Sequence, residues 1–145
     1  MKPALLDLNV LVALAWPSHV HHAAAHDWFV RERSGGWVTC PMTQSGLVRL
    51  SSNPKILPYA VSPMEAFGLL ERLTRLPDHR FWPDDISLED AAIFQRGSLL
   101  GHRQITDAYL FSLAIHNDGR LVTFDRAIRE LGTTAVQSHL LVLEG

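Results

Sequence analysis

The stretch LLDLNVLVALA, residues 5–15, places Asp7 and Asn9 inside an otherwise apolar run. A chain that only needed a hydrophobic core would carry another apolar residue at position 7. A buried carboxylate costs several kcal/mol unless it is paired, hydrogen-bonded or bound to a metal. Some other group in the fold must therefore compensate the charge of Asp7.

The sequence around this stretch predicts that Asp7 ends a strand. PALLD is typical of a short strand, and NVLVALAW behind it is typical of a helix that Pro17 stops. Further strands are predicted at GWVTC (36–40), RFWP (80–83), RLVTF (120–124) and LLVLE (140–144). They alternate with predicted helices, which favours an α/β fold with a mainly parallel β-sheet flanked by α-helices in one domain, residues 1–145.

The predicted helices carry boundary residues. Ser62 and Pro63 predict the start of the helix SPMEAFGLLERLTRL, and Ser87 predicts the start of a helix to residue 100. Thr106 is predicted as the N-cap of DAYLFSLAIHND, which Gly119 closes. Helices are also predicted at VHHAAAHDWFVRER (20–33), PMTQSGLVRLSS (41–52) and DRAIREL (125–131).

Composition narrows the class of protein. The chain has 145 residues, 47% of them hydrophobic, and a formal net charge of −2, which is typical of a folded domain and excludes a disordered or fibrous chain. Its single cysteine, Cys40, excludes an internal disulfide and fits a reducing compartment. Asp7 and Asn9 interrupt the apolar run that a signal peptide would need, so we expect a cytoplasmic protein without a membrane segment.

The predicted strand order brings three carboxylates to the carboxyl end of the sheet. Asp7 ends the first strand, Asp125 follows RLVTF, and Asp107 opens a helix. In open α/β sheets the reactive crevice lies beyond the carboxyl ends of the strands, where such side chains converge. Gathered carboxylates repel one another, and a divalent cation, Mg²⁺ or Mn²⁺, is the simplest compensation. Each aspartate alone could instead cap a helix.

Three segments in order, LLDLNVLVAL, CPMTQSGLVRLSSNP and ITDAYLFSLAIHNDGRLVTFD, resemble the PIN-domain ribonuclease toxins of the VapC type. The resemblance covers nearly the whole chain and implies a PIN-like fold. It also implies a Mg²⁺- or Mn²⁺-dependent endoribonuclease that hydrolyses RNA and is inhibited by a small cognate antitoxin, and it favours a homodimer. Asp7 and Asp107 fall on the principal metal-binding aspartates of the family, and Asp125 falls on a further acidic position.

The chain departs from the family at one position. Where the family commonly has a glutamate, in the helix after the second strand, this chain has Gln44. An amide can orient a water molecule but adds no negative charge and cannot act as a base at neutral pH. Gln44 is therefore a candidate catalytic residue together with the three aspartates, and Asp84 and Asp85 are candidates for an additional acid.

Three alternatives remain open at this point. A PIN-fold module inactivated by Gln44 would bind RNA or antitoxin without cleavage. A receiver-type phosphoryl-transfer protein also carries aspartates at strand ends but needs a well-placed lysine, and the only lysines are Lys2 and Lys55. His22 and His26 have the i, i+4 spacing of zinc ligands, although no H-E-x-x-H motif is present.

Overall fold

The computed structural model describes residues 1–90, 101–102 and 104–145. Within these ranges the chain forms a five-stranded sheet with the order β3-β2-β1-β4-β5, in which every neighbouring pair of strands is parallel. The strands are β1 (Ala4–Leu6), β2 (Trp37–Thr39), β3 (His79–Phe81), β4 (Arg120–Thr123) and β5 (Leu140–Val142). The predicted α/β fold with a parallel sheet is confirmed.

Five α-helices lie in the described part of the chain. They are α1 (Leu8–Ala15), α2 (His22–Glu32), α3 (Pro41–Ser51), α4 (Pro63–Thr74) and α5 (Gln104–His116). Short 3₁₀ helices cover Arg33–Gly35, Leu88–Asp90, Arg126–Glu130 and Thr134–His139. None of the helices in the described ranges has the length and apolar character that crossing a membrane would require.

Two predicted helix starts have different outcomes. Thr106 is not an N-cap, because α5 already begins at Gln104, whose N–H donates to the carbonyl of Gly101. Ser87 does precede a helical turn, and its hydroxyl accepts from the N–H of Glu89 at 3.2 Å. That turn is the 3₁₀ helix ending at Asp90, and the rest of the helix predicted to residue 100 lies outside the described residues.

The two faces of the sheet bury two separate cores, because side chains alternate along each strand. On β1, Ala4 and Leu6 pack with apolar residues of α1 and α2, whereas Leu5 packs with α5. Leu5 is fully buried and lies between Val38 of β2 and Leu121 of β4. The central strand is therefore covered on both faces and both edges, and its carboxyl end is held firmly in place.

Gly119 precedes β4, at the amino end of the sheet, and the chain is tightly packed around it. A Cβ atom there would lie 2.8 Å from the carbonyl oxygen of Pro3 and 2.5 Å from the ring of Trp82. We expect Gly119→Ala to lower the free energy of unfolding, measured in urea, by about 2 kcal/mol. In the matched control Gly68→Ala, in the middle of α4, the nearest atom lies 3.5 Å from the new Cβ. That variant should be more stable by about 0.5–1 kcal/mol, and equal effects at both glycines would contradict the packing described.

Candidate active site

Asp7 occupies the turn between β1 and α1, and its side chain is held by two hydrogen bonds. It is the N-cap of α1, so its Oδ1 accepts from the N–H of Leu8 at 2.7 Å. Its Oδ2 accepts from the hydroxyl of Thr123 at 2.6 Å, across the gap between β1 and β4. The residue is only 5% exposed. These two donors offset part of the cost of burying this carboxylate.

The hydroxyl of Thr123 is oriented by its other partners. Its oxygen accepts from the Nδ2 of Asn9 at 3.3 Å and from the backbone N–H of Asp125 at 3.0 Å. With both acceptor positions used, the single hydroxyl proton is directed to Asp7. Asn9 in turn accepts from the N–H of Phe124, at 3.3 Å. Asn9 thus connects the start of α1 to the end of β4, which explains the second polar residue in the apolar run.

Thr123 is a residue of the candidate site that the sequence analysis missed. It is fully buried and stands two positions before Asp125. A hydroxyl residue at the end of an otherwise apolar strand, next to a candidate acid, was the available signal. Its partner Asp7 lies 116 residues away in sequence, so the contact itself could not be predicted.

The structure brings the three predicted aspartates close enough to interact. Asp107 lies in the first turn of α5 and is half-buried, and Asp125 caps the 3₁₀ helix after β4 by accepting from the N–H of Ala127 at 2.9 Å. Burial, followed by the charges of Asp7 and Asp125, raises the pKa of Asp107 to about 7. Burial also raises the pKa of Asp7, while the bonds from Thr123 and Leu8 lower it.

No basic side chain of the described residues forms an ion pair with these aspartates. The ion pairs in those ranges join Lys2 to Asp118, Arg75 to Glu71, His116 to Asp85 and Arg120 to Glu32. Among these residues, the mutual repulsion of the three aspartates is offset only by the hydrogen bonds that Asp7 and Asp125 accept. Such an arrangement costs stability, and active sites are where proteins commonly accept this cost.

The aspartates differ from a complete metal centre in one respect. In the part of the chain that the structure describes, no three His, Cys, Asp or Glu side chains are placed as a ready ligand group. Mg²⁺, however, takes only one or two carboxylates directly and keeps several water ligands. Carboxylate oxygens with no cationic partner fit a hard divalent ion of this kind. Asp7 and Asp107 are the residues that could hold it, with Asp125 beside them.

Gln44 lies in the first half of α3 and is half-buried. Its Nε2 donates to the hydroxyl of Thr39, at the end of β2, at 2.9 Å. Two residues further along α3, a Cβ on Gly46 would lie 2.7 Å from the side chain of Leu8, so α3 packs directly against the start of α1. No hydrogen bond among the described residues joins Gln44 to the three aspartates. Its place in their chemistry stays a prediction.

The other candidate acids lie among different groups. Asp84 interacts with Cys40 and Tyr109. Burial raises the pKa of both groups most, and the charge of Asp84 also raises it. The Oδ1 of Asp85 is 3.7 Å from the Nε2 of His116. Neither is among the charges that raise the pKa of Asp107. No hydrogen bond or ion pair within the described residues joins Asp84 or Asp85 to the three aspartates.

The histidines proposed as an alternative zinc site form a stacked pair. The rings of His22 and His26 are 5.6 Å apart, and the Nδ1 of His22 is hydrogen-bonded to the carbonyl of Ala13 at 2.8 Å. Within the residues described, these two rings are not joined by a third ligand. The zinc alternative gains no support from this geometry.

Comparison with known proteins identifies close relatives of the chain. The family model described as PIN domain matches residues 4–133. Ribonuclease VapC39 of Mycobacterium tuberculosis is 47% identical over 127 residues, which cover 88% of this chain and 91% of that protein. Ribonuclease VapC38 of the same organism is 48% identical over 125 residues, 86% of each chain. Ribonuclease VapC44 is 41% identical over 141 residues, 97% of this chain and 99% of that protein.

Solved structures show the same fold at much lower identity. VapBC2 from Rickettsia felis, bound to a DNA fragment from its promoter, matches with a TM-score of 0.63 at 14% identity, over 97% of this chain and 98% of that one. Mycobacterium tuberculosis VapC20, described as a sarcin-ricin loop cleaving toxin, matches with a TM-score of 0.62 at 14% identity, over 90% and 96% of the two chains. At this identity the likeness concerns the fold alone.

The raised pKa of Asp107 predicts an unusual pH dependence of stability. Its pKa is about 7 in the folded chain, against an ordinary value of 3.8. Between about pH 4 and pH 7 the folded state therefore holds a proton that the unfolded state has lost, so the free energy of unfolding falls as pH rises. Because Asp107 is only half-buried and solvent screens part of its charge, we expect Asp107→Asn in chelator at about pH 8 to be more stable than the parent chain by about 2 kcal/mol, less than the full pKa shift implies, and to show a flatter pH profile.

The matched control is Asp118→Asn. Asp118 is exposed and paired with Lys2, which lowers its pKa, and its φ of 51° is a conformation that asparagine tolerates. This substitution should therefore slightly lower stability, the opposite sign. Urea unfolding at several pH values measures both variants. A loss of stability in Asp107→Asn at about pH 8 would show that repulsion among the three aspartates does not destabilise the folded chain.

Proposed function

We propose a function from the premise that the chain belongs to the PIN-domain family of VapC ribonucleases. The function is that of a Mg²⁺- or Mn²⁺-dependent endoribonuclease that is the toxin of a toxin–antitoxin pair. The observation that carries this proposal is the group of three aspartates at the carboxyl end of the parallel sheet. Burial, followed by the charges of Asp7 and Asp125, raises the pKa of Asp107, and no basic side chain among the described residues pairs with the three aspartates. The curated relatives, which match nearly over their full length, are named ribonucleases.

The residues of the chain have distinct roles in this proposal. Thr123 holds one oxygen of Asp7 in place, so that the carboxylate is presented at the end of β1 without having to reorganise. Asp7 and Asp107 would hold the cation, and Asp125 would assist directly or through water. A bound divalent cation makes a water molecule more acidic and offsets negative charge on the scissile phosphate. The protein then contributes mainly by positioning these groups.

Gln44 has a different role from the aspartates. Because an amide has no charge at neutral pH, it orients a water molecule or an RNA hydroxyl and does not accept the proton in the reaction. The proposed chemistry needs only two carboxylates at one cation, so the absence of a glutamate at this position does not prevent it.

The partners belong to the same proposal. The substrate is RNA, and a small cognate antitoxin protein inhibits the enzyme, which forms a homodimer in the cytoplasm. The structural neighbour from Rickettsia felis is VapBC2 bound to a promoter DNA fragment, which supports an antitoxin partner for this fold.

A second candidate function is a PIN-fold module that binds RNA or antitoxin without cleavage. Gln44 favours this alternative, because its amide is hydrogen-bonded to Thr39 where a carboxylate would add charge to the site. Such a module would retain the fold and its partners and lack turnover at every metal concentration.

Cleavage of total cellular RNA by the purified chain separates the two functions. We expect cleavage with Mg²⁺ or Mn²⁺, none with chelator, and at least about a hundredfold slower cleavage by Asp7→Asn, since it removes a ligand charge and leaves the shape of the residue. Asp118→Asn is the surface control and should cleave like the parent chain. Equal cleavage by Asp7→Asn, or cleavage in chelator, would contradict the metal-dependent mechanism. No cleavage by the parent chain would favour the binding module.

A further inference from the structure

Three side chains form a hydrogen-bonded series that leads from the sheet edge to Gln44. The Nε2 of Gln44 lies 2.9 Å from the Oγ1 of Thr39, and this oxygen lies 2.8 Å from the Nε2 of His79. Thr39 is fully buried at the end of β2, and His79 is half-buried on the neighbouring edge strand β3. We call these residues the Gln44–Thr39–His79 series.

The direction of each hydrogen bond follows from the available protons. The amide nitrogen of Gln44 can only donate, so the oxygen of Thr39 accepts from it. The hydroxyl has one proton, and the Nε2 of His79, at 2.8 Å, is placed to accept it. In that arrangement the ring nitrogen is unprotonated and a neutral His79 carries its proton on Nδ1. Burial lowers the pKa of His79, which favours this neutral form.

In a second arrangement both hydrogen bonds of the series are reversed, and the Gln44 amide has the other orientation. If His79 carried its proton on Nε2, it would donate to Thr39, whose hydroxyl would then donate to the amide oxygen of Gln44. The amide group would be rotated by half a turn, and its NH₂ group would point outward. A proton on Nδ1 of His79 thus leaves Thr39 with no proton for Gln44 and fixes the amide with its NH₂ group toward Thr39, whereas a proton on Nε2 does not fix it.

The structure also fixes His79 itself. Its ring packs on the ring of Trp37, with the centroids 4.7 Å apart, and the two residues are direct partners in the parallel pairing of β2 and β3. The indole Nε1 of Trp37 donates to the carbonyl of Pro77 at 3.0 Å. His79 therefore has a rigid neighbour on the strand that also carries Thr39.

The carbonyl oxygen of Gln44 is left as an acceptor. No hydrogen bond within the described residues uses it, and the buried unpaired polar atoms of those residues are Trp28 Nε1 and Arg120 Nε. It is therefore open to solvent, at a residue that lines an open groove of about 430 Å³ between α3 and α4.

We infer that His79, acting through the hydroxyl of Thr39, is a positioning residue that holds the Gln44 amide with its carbonyl oxygen outward. An outward oxygen accepts a hydrogen bond from water or from an RNA hydroxyl and so orients the proton of that group, whereas an outward NH₂ group would donate to its oxygen or to a carboxylate. The effect on catalysis rests on the proposed function. The hydrogen-bond direction does not, so it can be tested on the protein without any substrate.

The first test reads the position of the proton on His79 by ¹⁵N NMR of the imidazole groups in the full chain, at a pH where His79 is neutral. We expect the parent chain to show His79 protonated on Nδ1. Thr39→Ser keeps the hydroxyl and should preserve this form, whereas Thr39→Val, which is similar in size, should lose it. His139 is the internal control, because its Nδ1 is bonded to the carbonyl of Gly119 away from the series. Protonation of His79 on Nε2 in the parent chain would overturn the inference.

The second test measures RNA cleavage by the same variants. We expect Thr39→Val to lower kcat about tenfold with little change in KM, and Thr39→Ser to retain most of the activity. His79→Phe keeps a ring against Trp37 and removes the acceptor, so it should match Thr39→Val. Unchanged kcat in both Thr39→Val and His79→Phe, with the fold intact by thermal unfolding, would overturn the positioning role.

The two tests separate this inference from the proposed function. If the parent chain cleaves no RNA, the proposed function fails, while Nδ1 protonation that depends on the Thr39 hydroxyl still supports the direction of the series. If the parent chain cleaves RNA and His79 carries its proton on Nε2, the inference fails and the proposed function stands.

Discussion

The hydrogen bond from Thr123 to Asp7 is the interaction on which the rest of the site depends. It joins the carboxyl ends of two adjacent parallel strands, β1 and β4, and it does so with a buried carboxylate at 2.6 Å. Asp7 also caps α1, so the same side chain fixes the end of the central strand, the start of a helix and the position of the acidic group. Removing this carboxylate would change all three, which explains why an apolar residue does not replace it.

The site is organised by polar groups that act through one another. Asn9 and the backbone of Asp125 use the acceptor positions of Thr123 and thereby direct its proton to Asp7. On the other side of β1, Thr39 connects His79 with Gln44 in a similar way. In both cases a threonine at the end of a strand transmits the orientation of a neighbouring group. Buried hydroxyls suit this task because each offers a single proton and two acceptor positions.

The sequence was sufficient to predict the parallel sheet, because the alternation of apolar segments and helix boundaries is local. It also placed the three aspartates at the carboxyl end of the sheet, since the carboxyl ends of parallel strands lie on the same side. It could not predict the start of α5, which depends on carbonyl groups that precede Gln104 rather than on the capping preference of Thr106. Nor could it predict the partners of Thr123 and Thr39, because those contacts join residues 116 and 40 positions apart.

Within the residues described, no basic side chain pairs with the three aspartates. The stability of the whole domain therefore depends on whether a ligand binds at this end of the sheet. Any ligand that neutralises the carboxylates and binds only the folded chain stabilises that chain by mass action. Because Asp7 lies at the end of the central strand, this stabilisation acts on a fully buried part of the sheet. Proteases in the cell act on transiently unfolded chains, so a ligand bound at this end of the sheet would lengthen the lifetime of the protein.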